Sequence, residues 1–97
     1  MKAHLVKHVK VEDDEDNLIE IKIWQLQAPS PDKPHGYKYS MAYVVEGMRV
    51  IGYDNSEGKG DHKHYGGKEV AYTFRSIDKL LEDFSRDIER YIRGDKP

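Results

Sequence analysis

Through "LIEIKIWQL", residues 18–26, polar and apolar positions alternate: Ile19, Ile21 and Ile23 fall on one side, Glu20, Lys22 and Trp24 on the other. A period of two marks a half-buried strand. Ala3 to Val11 alternates less strictly, with Leu5, Val6, Val9 and Val11 as its apolar positions and Lys2, His4, His8 and Lys10 as a solvent face. The polar run from Glu12 to Asn17 between these segments reads as a solvated turn, so they should pair as a hairpin. Three of the four prolines lie in residues 27–36, which therefore cannot continue a central strand. Tyr37, Tyr39, Met41 and Tyr43 restart the alternation; "EGMR" with Gly47 makes a tight turn into "RVIGY", and "EVAYTF" reads as a last short strand.

The period changes at the end of the chain. Ile77, Leu80, Leu81, Phe84, Ile88, Tyr91 and Ile92 recur at spacings of three and four, one face of a helix over 76–93. Ser76 suits its N-cap, Asp78 the positive end of its dipole and Gly94 its exit. Glu82, Asp83, Arg86, Asp87, Glu89 and Arg90 read as its solvated side. The predicted fold is α+β: an antiparallel sheet of about five strands in meander order, one face covered by the C-terminal helix. Sequence alone leaves Trp24 either beneath that helix or exposed at a partner surface.

Length allows one domain, 1–97. Net charge is −2, which announces no nucleic-acid binder, although a local basic patch suffices to contact phosphate. Cysteine is absent, which excludes disulfides, thiolate catalysis and cysteine-ligated zinc and suits a reducing cytoplasm. No run resembles a signal peptide or a bilayer span, so a soluble intracellular protein without a membrane partner is expected.

"YDNSEGKGDHKHYGGKE", residues 53–69, departs from the pattern: apolar residues almost vanish, and the segment is long for a hairpin connection. Gly58, Gly60, Gly66 and Gly67 permit left-handed backbone and close ligand approach. Lys59, Lys63 and Lys68 offer ammonium groups to an anion, although "GKG" lacks P-loop spacing. His62 and His64, two apart, face the same way if extended. Imidazoles titrate near neutral pH, about 6.5, so one can accept a 2′-hydroxyl proton while the other protonates a leaving 5′-oxygen. Asp54 or Asp61 is placed to orient an imidazole, and Arg75 to close the site on phosphate. Two other readings stand beside this one. The segment suits a plain solvated connection, and His62, His64 and Asp61 suit a metal, with no fourth ligand evident.

Tyr53-Asp54-Asn55, then Gly58-Lys59-Gly60-Asp61-His62, His64 and Gly66-Gly67, followed by "YTF", a serine and an amphipathic helix, resembles the TumE-type toxins of toxin–antitoxin modules. The match covers about the last 60 residues well and the first two strands in pattern only. Lys63 stands where the family pattern has arginine. The resemblance implies a small toxin held inactive by a cognate antitoxin protein. Together with the histidine pair it points to a metal-independent endoribonuclease that needs no cofactor and acts on RNA or the ribosome. His62, His64, Asp61 and Asp54 would be catalytic, Lys59, Lys63, Arg75, Gly58 and Gly60 phosphate-binding, and Tyr53, Asn55, Gly66 and Gly67 structural. The alternatives are a non-catalytic binder of a phosphate-bearing ligand or protein and a metal-dependent nuclease. An exposed edge strand also suits a homodimer.

Overall fold

The computed structural model describes residues 3–13, 15–56, 58 and 60–94. Six strands, β1 (Ala3–Glu12), β2 (Leu18–Leu26), β3 (Tyr37–Val45), β4 (Met48–Asp54), β5 (His62–Tyr65) and β6 (Lys68–Ala71), precede a single helix, α1 (Ile77–Ile92). The strands lie in chain order in one antiparallel sheet. This is the α+β meander that the alternation predicts, with one strand more. Among the described residues no helix is long and apolar enough to cross a membrane.

Register explains the core. Ile23 lies opposite Tyr39, Met41 opposite both Ile21 and Tyr53, and Tyr43 opposite both Ile19 and Ile51. One sheet face therefore carries a continuous apolar band, against which Leu80, Phe84 and Ile88 pack. Ser76 caps α1 by accepting the Lys79 amide at 3.0 Å, and Gly94 leaves the helix at φ 93°. Glu46 and Gly47, at φ 53° and 77°, make the two-residue turn between β3 and β4 that matches strand twist.

Asp87 belongs to the buried side of α1 and not to its solvated face. It accepts a hydrogen bond from Tyr53 Oη at 2.5 Å and lies 3.4 Å from Lys63 Nζ. Trp24 lies on the sheet face away from α1, with Lys38 Nζ 5.1 Å from its ring centre.

β1 corrects a further expectation. A bulge between Leu5 and Lys7 makes Leu5 the partner of Trp24 and Lys7 that of Ile23, so the strand changes face at Val6. His4 shares a face with Gln25 and His8 with Lys22, so they do not form one solvent stripe; Lys2 lies outside the described residues.

The predicted 53–69 connection is largely sheet. β4 runs to Asp54, β5 begins at His62, and a turn at Gly66-Gly67 leads into β6 at Lys68, where "EVAYTF" predicts a strand that starts one residue later and ends three residues later. β5 escapes the alternation rule because its inward positions are Lys63 and Tyr65. Their burial is made tolerable by Asp87 and by Arg90, which lies 5.2 Å from the Tyr65 ring centre.

Candidate functional site

Three consecutive residues at the end of β4 have three different tasks. Tyr53 points toward α1 and anchors on Asp87. Burial, with the hydrogen bond to the Asp87 carboxylate second, holds the Tyr53 hydroxyl far above the usual phenol range. Asp54 points to the opposite face. Asn55, fully buried, accepts the Tyr39 amide at 3.0 Å and donates to the Tyr37 carbonyl at 2.8 Å, standing in for the next residue of a strand. Asn55 thus fixes the point where the chain leaves the sheet.

β5 returns beside β4 with His62 opposite Asp54 and His64 opposite Gly52. Cross-strand partners share a face, so both imidazoles arrive on Asp54's side, away from the helix. His62 Nε2 lies 2.9 Å from Asp54 Oδ1, and His64 Nε2 lies 3.7 Å from Oδ2. The ring centres are 5.2 Å apart at an edge-to-face angle of 78°. His62 Nδ1 donates to the Gly60 carbonyl at 3.1 Å, which fixes the proton on that nitrogen. Gly60 has φ 82°, a conformation open to glycine, and this curls the carbonyl beneath the ring.

Asp54 and His62 are buried, and His64 is half-buried. Burial pushes the His64 imidazole below its usual range, and the Arg49 guanidinium adds to that effect. Glu69, opposite His64 on β6, brings Oε1 to 3.8 Å from His62 Nε2. A shallow recess lined by Asp61, His62, Glu69, Val70 and Ala71 opens beside the cluster.

Arg49 and Glu69 are absent from the sequence expectation. Arg49 lies across Gly52: a β-carbon there would fall 3.0 Å from Arg49 Cδ and 3.1 Å from Nε. The bulge between Tyr43 and Val44 puts Arg49 opposite Val44, on the histidine face. The available signal was an arginine three residues before a strand glycine, but it is legible only once that bulge is known.

Other expected site residues go elsewhere. Asp61 does not join the histidines. Its Oδ2 accepts Tyr39 Oη at 2.8 Å and lies 2.8 Å from His35 Nε2. The Tyr37 amide donates to His35 Nδ1, so Nε2 carries the proton that His35 gives to Asp61. His35 also stacks on Phe74, with centres 3.9 Å apart. This dyad ties the proline-rich segment to the start of β5. Lys63 faces α1, because strand alternation sends it away from its two histidine neighbours. Arg75 is exposed beside a recess that His35, Phe74 and Ser76 help to line, apart from the cluster. Gly58 and Gly66 have positive φ, whereas Lys59 lies outside the described residues.

A family model described as Toxin TumE matches residues 2–92. The chain belongs to the TumE toxin family. The match extends through β1 and β2, where the sequence resemblance rests on pattern alone. Membership makes the chain a toxin of a toxin–antitoxin system and implies an antitoxin partner. No curated protein and no solved structure gives a significant match to the chain. Within this TumE chain, the Asp54–His62–His64 cluster with Arg49 is the one place, among the described residues, where two imidazoles share a carboxylate.

Proposed function

We propose that this toxin acts on RNA as a metal-independent endoribonuclease, with His62 and His64 exchanging protons across the scissile phosphate. The observation that carries this reading is the shared carboxylate: two imidazoles 5.2 Å apart converge on Asp54, with a guanidinium alongside. His64 takes the proton of a ribose 2′-hydroxyl while the 2′-oxygen forms its bond to phosphorus. The bond from phosphorus to the 5′-oxygen breaks, and that oxygen takes its proton from a protonated His62 bordering the recess. The products are a 2′,3′-cyclic phosphate and a 5′-hydroxyl. Proton exchange with water resets the two histidines. Asp54 pairs with the imidazolium that the acid must be, and Arg49 offers a planar fork to the phosphate.

An RNA target places the action in the cytoplasm, with free or ribosome-bound RNA as substrate. β1 suits homodimer pairing: it carries exposed Leu5, Val6 and Val11 and has β2 as its one strand neighbour among the described residues.

The test uses purified toxin and RNA of defined sequence in the presence of a chelator. Cleavage should leave a cyclic phosphate and follow a bell-shaped pH profile, and His62→Ala combined with His64→Ala should abolish both cleavage and growth inhibition while circular dichroism is preserved. Saturable RNA binding without cleavage, or full toxicity of the double variant, overturns the assignment.

A further inference from the structure

We infer that Asp54, His62 and His64 also form a binding site for one borderline divalent cation of the Zn2+ class, and that occupancy by the ion silences the proton-exchanging histidines. The donor atoms support the first part. One carboxylate oxygen and one ring nitrogen from each histidine all lie within 4.8 Å of one another. A tetrahedral zinc ion with bonds of about 2.0–2.1 Å holds its ligands roughly 3.3 Å apart. His62 Nε2 lies 2.9 Å from Asp54 Oδ1 and His64 Nε2 lies 3.7 Å from Oδ2, so rotation of the carboxylate and the rings has to draw one oxygen and the two nitrogens in from within 4.8 Å to that spacing.

The surroundings support it as well. The His62 ring is already oriented by donating Nδ1–H to the Gly60 carbonyl, the outer contact that metal-bound histidines characteristically make. Asp54 Oδ1 is buried and, although His62 Nε2 approaches to 2.9 Å, it accepts no aligned hydrogen bond among the described residues. Two imidazoles and one carboxylate favour zinc and its neighbours over magnesium or calcium, which prefer all-oxygen shells. The recess on the Glu69 side gives an entry path and a fourth position for water or the Glu69 carboxylate. Arg49 opposes the ion by charge repulsion and therefore limits affinity.

The second part follows from lone pairs. A metal-bound Nε2 can neither take nor give a proton, so ion and acid–base catalysis exclude one another. This part rests on the ribonuclease reading; the binding does not.

The decisive experiment titrates Zn2+ into tag-free, chelator-stripped toxin by calorimetry and follows RNA cleavage in the same samples. Expected are one ion per chain, affinity more than about tenfold weaker in Asp54→Asn and in His64→Gln, and unchanged affinity in His8→Ala, an exposed histidine on β1. Cleavage should fall as zinc fills the site and recover with chelator. Absent binding, or equal binding by the Asp54 and His64 variants, overturns the site. Binding accompanied by faster cleavage overturns the silencing and the metal-free chemistry together. Stoichiometric binding without cleavage at any zinc level supports the site and overturns the ribonuclease reading and the silencing with it.

Discussion

Lys63 Nζ lies 3.4 Å from Asp87 Oδ2, across the sheet from the two histidines that flank Lys63 in sequence. The lysine sits 5.6 Å from the Tyr53 ring centre, so it braces β5 against α1 and does not line the candidate site. Lys63→Ala should therefore lower stability by about 1–3 kcal/mol, since a buried carboxylate loses a charged partner while Tyr53 and Arg90 remain beside it. Denaturant unfolding measures the loss. RNA affinity of the folded fraction should stay within about twofold; a large affinity loss at wild-type stability would return Lys63 to the phosphate-binding set.

Gly52 and Arg49 yield a second expectation. Gly52→Ala needs no unusual backbone, but its new methyl displaces a flexible guanidinium from beside His64. Cleavage should drop about as much in Gly52→Ala as in Arg49→Ala, and the double variant should be little worse than either, because both remove one group from one place. Thermal melts should show small shifts for each. Additive losses would mean that Gly52 acts on the site by another route.

The pH dependence of stability should be read at Asp83. Burial alone would raise its carboxyl, but hydrogen bonds from Lys79 Nζ at 2.8 Å and Tyr72 Oη at 2.6 Å outweigh burial and hold it below the usual range. A depressed folded value means stability that is present above the unfolded value, about 3.9, and lost as pH falls through the folded one. Asp83→Asn should thus be less stable than wild type at pH 7, with the gap narrowing as pH falls below about 4. Unfolding midpoints measured between pH 2 and 7 test this; a gap independent of pH would rule out the linkage.

Period and punctuation made most of the fold legible. The isoleucines of β2, the tyrosines of β3, the Glu46-Gly47 turn and the Ser76 cap all act through local rules that a single chain carries. β5 was hidden because its inward lysine is paid for by a carboxylate 24 residues away, a compensation no local window contains.

The site divides along the same line. The sequence alone put His62 and His64 on one side, because two residues apart on a strand is one face, and it marked residues 53–69 as unusual. Only the tertiary structure chose between the two aspartates. Register brings Asp54 to the histidines, whereas Asp61 is drawn off by His35 and Tyr39, residues more than 20 positions away. The same register carries Lys63 to the helix and the bulge brings Arg49 in its stead. Alternation is a property of one strand, but which strand lies beside it, and in what register, is settled by the packing of the whole sheet against α1.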